Sequence, residues 1–92
     1  MFSITPGWND NIGKGFQMTF ENGWAISVQW GAGNYCNHYS EALDTITRDS
    51  TTAEVAVFTP DGEFHRIGLD NDVKGYLSSN EVLELMNWTA IQ

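Results

Sequence analysis

The segment FQMTFENGWAISVQW, residues 16–30, decides the fold of this chain because its letters set the register of a β-hairpin. On both sides of the central Asn22-Gly23 pair, apolar residues alternate with polar or small ones, which is the period of a half-buried strand. The apolar positions are Phe16, Met18 and Phe20 before the turn and Trp24, Ile26, Val28 and Trp30 after it. Since one face of such a hairpin packs on the core, both apolar sets must lie on that face.

The length of the turn decides whether the two sets share a face. A two-residue loop at Asn22-Gly23 would pair Phe20 with Ala25 and place the sets on opposite faces. A three-residue loop over residues 21–23 pairs Phe20 with Trp24 instead and brings the rings together. That loop combines a type I turn with a left-handed third residue, a conformation that glycine adopts readily. The sequence therefore predicts an antiparallel hairpin with a three-residue turn.

A second hairpin is predicted in the second half of the chain. The strand AEVAVF and the returning segment EFHRI flank Pro60-Asp61-Gly62, where proline, aspartate and glycine occupy favourable turn positions. This loop would pair Phe58 with Phe64 and, further along, Val55 with Ile67.

The remaining segments predict a strand, two connections and a helix. Residues 2–5 are predicted to form a short first strand. Residues 31–52 are the least regular part of the chain, with a helical turn predicted from Ser40. Residues 68–77 are predicted to form a polar connection. The helix follows Ser78, which has capping-box spacing to Glu81. Its apolar stripe, predicted to face the sheet, is Val82, Leu85 and Met86.

Together these elements predict an α+β fold, a single domain over residues 1–92. We expect a four- or five-stranded, mostly antiparallel sheet with the C-terminal helix packed on one face. A chain of 92 residues buries about 64% of its extended surface, enough for one modest core. No run approaches the ~20 apolar residues of a membrane span, and no signal peptide is evident. The lone Cys36 fits a reducing cytoplasm.

The charge balance disfavours direct binding to nucleic acid or to an acidic membrane. Twelve carboxylates oppose four basic residues, giving a net charge of −8. Such a chain favours basic protein surfaces as partners. Eight charges on roughly 5,400 Å² of folded surface, one per ~670 Å², are sparse beside a DNA duplex with one per ~110 Å². Mimicry of DNA would therefore require about sixfold clustering of the carboxylates.

One segment carries the alternative of a small-ligand site. The sequence GAGNYC, residues 31–36, follows a predicted strand, and glycine-rich loops in that position can cradle phosphate with free backbone N–H groups. Neither the dinucleotide nor the Walker pattern is present. In this alternative, an oligomeric sponge for a nucleotide signal, the ligand-binding residues are Gly31, Gly33, Asn34, Tyr35 and Arg66.

Catalytic and metal chemistry find little support. Cys36 and His38 could meet on one face of a strand, but no recognisable nucleophile motif surrounds them. The run Asp70-Asn71-Asp72 resembles the start of a calcium loop but lacks its glycine and closing glutamate. We therefore predict a protein without enzymatic activity, cofactor or metal.

The motif around the first turn resembles a group of small proteins of tailed phages and prophages. These proteins share an N-G-(W/Y)-x-x-S-V-Q-(W/F)-G-x-G-N-Y-C core, present here over residues 22–36. The likeness continues in the AEVA segment, the Asp61-Gly62 turn and the C-terminal helix. The resemblance carries no assigned activity and implies a phage gene acting in the cytoplasm of a bacterial host. By analogy of size and acidity, it suggests an inhibitor of host defences, such as an anti-CRISPR protein.

The leading hypothesis is an acidic interaction protein that inhibits a host defence or nucleic-acid-processing protein, for example by occupying its basic groove. The partner is a host protein with a basic surface, and a homo-oligomer is compatible with the sequence. The predicted partner-binding residues are Glu41, Asp44, Asp49, Asp61, Glu63, Asp70, Asp72, Tyr39 and Tyr76.

Overall fold

The computed structural model describes residues 1–4, 14–42, 49–67 and 72–92. These residues form an antiparallel sheet and one helix. The elements are β1 (Phe2–Ile4), β2 (Lys14–Thr19), β3 (Ala25–Trp30), β4 (Ala53–Phe58), β5 (Phe64–His65), β6 (Val73–Leu77) and α1 (Ser79–Ala90). The strand order is β1-β2-β3-β4-β5, and β6 pairs with β4 beside β5. The predicted α+β class, with a mostly antiparallel sheet and a C-terminal helix, is confirmed.

The first hairpin has the register that a three-residue turn requires. Phe16 lies opposite Val28, and Met18 lies opposite Ile26. The Phe20 N–H donates to the Trp24 carbonyl at 2.8 Å. Residue 23 adopts the left-handed conformation, with φ of 88°, that only glycine enters without strain. The apolar residues of β2 and β3 therefore share the face that packs on the core.

Strand β4 lies at the centre of the buried core, with partner strands along both of its edges. One edge pairs with β3. The other pairs first with β5 and then with β6, which follow one another along it. Val55 and Val57 are fully buried on the face that meets α1, together with Ile26 of β3. The buried core is therefore built around this strand.

The sixth strand and the end of the second hairpin differ from the sequence-based expectation. Phe58 pairs with Phe64 as predicted, but β5 ends at His65, and Val55 pairs with Lys74 rather than with Ile67. Residues 73–77 form β6 instead of a polar connection; residues 68–71 lie outside the described residues. The short β5 leaves the rest of the β4 edge unpaired, and buried backbone groups require partners. Strand β6 supplies them.

Helix α1 begins and packs as its sequence predicts. The Ser78 hydroxyl accepts from the Glu81 N–H at 3.3 Å, and the Glu81 carboxylate accepts from the Ser78 N–H at 3.0 Å. The bond from the Ser78 backbone is the main cause that lowers the pKa of the Glu81 carboxyl. The predicted stripe of Val82, Leu85 and Met86 packs against the core. Within the described residues, no helix has both the length and the apolar character needed to cross a bilayer.

An aromatic cluster fixes the C-terminal half of α1 to the sheet. The His65 ring stacks on Trp88 of the helix at 5.1 Å and meets the edge of Trp24 at 5.2 Å. The two tryptophans also contact each other edge to face at 5.8 Å. Asn22, in the first turn, donates to the Thr89 carbonyl at 3.0 Å. The two hairpins and the helix therefore meet at one end of the molecule.

Replacing the N-cap residue tests the capping box. Ser78→Ala removes the acceptor for the Glu81 N–H, so we expect the free energy of unfolding to fall by ~1 kcal/mol in urea denaturation. The matched control is Asn80→Ala, an exposed position in the same turn, which should keep or slightly raise stability. Equal stability of the two variants would contradict the capping role.

The cap also makes stability depend on pH. Folding lowers the pKa of Glu81. The contribution of this carboxylate to the free energy of unfolding is therefore complete above the unfolded-state pKa and is lost as the pH falls through the folded-state pKa. Glu81→Ala should therefore be destabilising at neutral pH and approach wild-type stability in acid. A gap between the two proteins that is constant with pH would count against this assignment.

The two turn glycines provide a second test. Gly62 also has positive φ, 82°, but a Cβ there would meet nothing within 4 Å, whereas at Gly23 it would lie 3.2 Å from the Cβ of Pro60. Gly62→Ala should cost about 1–2 kcal/mol for the left-handed backbone alone. Gly23→Ala should cost more in the same urea titration because the neighbouring turn must also move. The reverse order would show that the turns do not pack as described.

Candidate functional site

The loop after β3 folds around the thiol of Cys36. The side chain is buried, with 1% of its surface exposed. Its sulfur accepts from the Gly31 N–H at 3.3 Å and from the His38 N–H at 3.4 Å, and the thiol is within 3.5 Å of the Gly31 carbonyl. The buried Asn34 amide donates to the Trp30 carbonyl at 3.0 Å. These bonds fix a compact, turn-rich loop over residues 31–42.

This loop rests on the face of the sheet opposite α1. Val55 points into the core, so its neighbour Glu54 points the other way, as alternation along a strand requires. The Glu54 carboxylate accepts from the Tyr35 N–H at 2.6 Å. The Tyr76 N–H of β6 donates to the Tyr35 carbonyl at 2.8 Å. A Cβ at Gly75 would overlap that of Tyr35, so a glycine is required where the loop meets β6.

Three tyrosines are exposed where the loop meets β6. Tyr35 and Tyr39 stack with ring centroids 5.2 Å apart and an angle of 9° between their planes. About half of each side chain is exposed, and Tyr76 is exposed beside them. The Tyr39 backbone is also fixed, since its N–H donates to the Cys36 carbonyl at 3.0 Å. We call Tyr35, Tyr39 and Tyr76 the tyrosine face.

Acidic side chains accompany the tyrosine face. Glu41 is paired with the ring of His38 in the same loop. Glu54 lies beneath Tyr35, to which it is bonded. Asp49, by contrast, is exposed on the segment that leads into β4, toward the α1 side of the sheet. That segment is tied to the loop, because the Asn37 N–H donates to the Thr52 hydroxyl at 2.9 Å.

The other predicted carboxylates lie elsewhere. Asp61 and Glu63 are exposed in the β4–β5 turn. This turn follows the end of β4 that is farther from the loop after β3, and the six residues of β4 span about 20 Å at ~3.3 Å per residue. Asp72 is exposed just before β6. Asp44 and Asp70 lie outside the described residues. The structure thus gathers the predicted tyrosines with Glu41 but places Asp61 and Glu63 at a separate end.

The backbone N–H groups of the four loop residues predicted to bind a ligand are already bonded within the protein. Those of Gly31, Gly33 and Asn34 donate to Cys36, Tyr39 and Gly31, respectively. That of Tyr35 donates to the Glu54 carboxylate and is therefore not free to bind a phosphate. Arg66 follows β5, which pairs with the other end of β4. The phosphate-binding alternative therefore stays a prediction that these bonds do not favour.

Sequence reasoning overlooked Glu54 and Gly75, which both contact Tyr35 and so position the loop after β3 on the sheet. The signal for Glu54 was present, because it is the one charged residue in the otherwise apolar strand AEVAVF. A glycine within a strand, as Gly75 is in VKGYL, often marks a close approach of another backbone. Among the residues that the structure describes, no three His, Cys, Asp or Glu side chains are grouped to hold a metal ion.

Comparison with protein-family models, with curated proteins and with solved structures finds no match to this chain.

The environment of Cys36 predicts a slow thiol reaction. Because the sulfur is buried and bonded to the loop backbone, native protein should react with iodoacetamide far more slowly than urea-unfolded protein, as followed by mass spectrometry. Cys36→Ala should loosen the loop and lower the melting temperature. A native thiol that reacts as fast as the unfolded one would instead indicate an activated, accessible nucleophile.

Proposed function

We propose that this protein is a non-enzymatic interaction protein that binds a basic surface of another protein through its tyrosine face. The observation that carries the proposal is the exposed, parallel stack of Tyr35 and Tyr39, which the loop backbone holds in place. Tyrosine provides a large contact area with little conformational entropy to lose, and it is enriched at the centres of protein interfaces.

The fixed backbone of the tyrosine face reduces the entropy lost on binding. Tyr35 is bonded through its N–H to Glu54 and through its carbonyl to Tyr76, and Tyr39 is bonded through both its N–H and its carbonyl. A partner would therefore meet a surface whose backbone is already ordered. Rigid, preorganised side chains give tighter binding for the same buried area.

Charge supports a basic partner. The net charge is −8, and Glu41 and Glu54 lie beside the tyrosines. Arginine side chains stack on tyrosine rings and pair with carboxylates, so this surface is complementary to an arginine-bearing one. The carboxylates at the far end of β4 would then increase the rate of encounter through long-range attraction rather than form contacts.

The resemblance to tailed-phage proteins extends the proposal to a biological role. On that basis, the protein is phage-encoded, acts in the bacterial cytoplasm and inhibits a host defence or nucleic-acid-processing protein. Such proteins carry basic grooves for nucleic acid, which fit the charge of this chain. The arrangement favours a tyrosine anchor in the groove over a continuous row of carboxylates that copies a phosphate backbone.

Affinity capture from lysate of the bacterial host, followed by binding measurements on the purified partner, tests this function. Tyr39→Ala should weaken binding by roughly 10- to 30-fold, as for an interface hot spot. The matched control, Phe2→Ala, removes a more exposed ring on strand β1 and should bind as the wild type does. Affinity should fall as salt rises.

Three outcomes would overturn the proposal. One is that no basic protein is recovered at low salt. Another is that Tyr39→Ala and Phe2→Ala bind equally well. The third is that affinity is independent of salt, which would leave the charge of the chain without a part in recognition.

A further inference from the structure

A cavity of about 560 Å³ opens between the N-terminal half of α1 and the first hairpin. Its apolar walls include Phe16 and Trp30 from the sheet and Val82, Leu83 and Met86 from the helix. It lies on the α1 side of the sheet, whereas the tyrosine face is on the opposite side. Its volume is within the range of roughly 300–1,000 Å³ that is typical of small-molecule sites.

The cavity exists because one helix is narrower than this sheet. A helix is about 10 Å across and strands are spaced about 4.8 Å apart, so one helix covers only part of a sheet of this width. In the described part of the chain, α1 packs on β3, β4 and β6, and no Cα atom of the helix comes within 8 Å of a Cα atom in β2. Leu83 illustrates the gap, since it borders the cavity and remains 54% exposed.

The polar wall of the cavity has one charged group. It is formed by residues 49–52, whose hydroxyls are already engaged: Ser50 donates to the Thr52 carbonyl, and Thr51 and Thr52 are bonded to Asn37. Asp49 is the one charged side chain among the described lining residues, and it is exposed. The Asp49 carboxylate and the net charge of −8 both favour a cationic ligand over an anionic one.

We propose that this cavity binds a small cationic amphiphile, with its apolar body between the helix and the hairpin and its ammonium group beside the Asp49 carboxylate. The apolar walls supply the binding energy, because the ligand removes both itself and these walls from water. The carboxylate determines which sign of charge the ligand carries. The site shares no residue with the tyrosine face and does not depend on its function.

Matched probes of opposite charge test the proposal on the full chain. Decylammonium and decanoate, both below their micelle concentrations, would be titrated into ¹⁵N-labelled protein and followed by NMR. Decylammonium should bind saturably, with the largest shifts at the Trp30 indole and at the amides of Val82, Leu83 and Met86. Decanoate should bind at least fivefold more weakly, because Asp49 repels it.

Two pairs of variants refine the test. Asp49→Asn should reduce decylammonium affinity by roughly two- to fivefold, as expected for an exposed ion pair, whereas Asp72→Asn removes the same charge elsewhere and should have no effect. Ser79→Trp fills the mouth of the cavity and should abolish binding. Asn80→Trp, at the next exposed position outside the lining, should leave binding unchanged.

Several results would overturn the proposal. Equal affinity for the two probes would remove the role of Asp49, as would equal binding by Asp49→Asn and wild type. Shifts spread over the whole surface, or no shifts, would show that there is no site. Contacts from another segment of the chain or from a second copy to Trp30 and Val82 in the probe-free protein would show that the cavity has a different occupant.

Discussion

The three-residue turn at residues 21–23 determines which face of the sheet the side chains of β3, and through pairing those of β4, occupy. Because Gly23 adopts a left-handed conformation, Met18 lies opposite Ile26, and the apolar residues of β2 and β3 share one face. A register shifted by one residue would turn each side chain to the other face. Strand β4 inherits this choice through its pairing of Val57 with Ile26. The apolar side for α1 and the outer side for the tyrosine loop are therefore both set by this turn.

Strand β4 contributes side chains to two different surfaces, one on each face of the sheet. Val55 and Val57 point into the core beneath α1. Because side chains alternate along a strand, Glu54, next to Val55, points to the other face and reaches the loop after β3. On the adjacent strand, the register shift in β6 allows Leu77 to enter the core while Gly75 receives Tyr35. The same two strands therefore support an apolar cavity on one side and three tyrosines on the other.

The features that followed from the sequence are those that a few neighbouring residues determine. The first hairpin was set by alternation and a glycine, and the helix start by the Ser78–Glu81 pair. The β6 strand escaped this reasoning because its segment, VKGYL, has weak alternation and contains a glycine. It becomes a strand because the short β5 leaves part of β4 without a partner, which is a property of the whole sheet and not of the segment.

The candidate sites depend on contacts that are distant in sequence, so composition could suggest their residue types but not their arrangement. Tyr35 meets Tyr76 across 41 residues and Glu54 across 19. Among the described carboxylates, by contrast, Glu54 lies near one end of β4 and Asp61 and Glu63 follow the other end, and a count of charges could not reveal this separation. A surface with two stacked rings and nearby carboxylates recognises cations by geometry, whereas scattered carboxylates act mainly through the long-range field. For the interaction proposed above, the positions of three tyrosines are therefore more informative than the net charge of the chain.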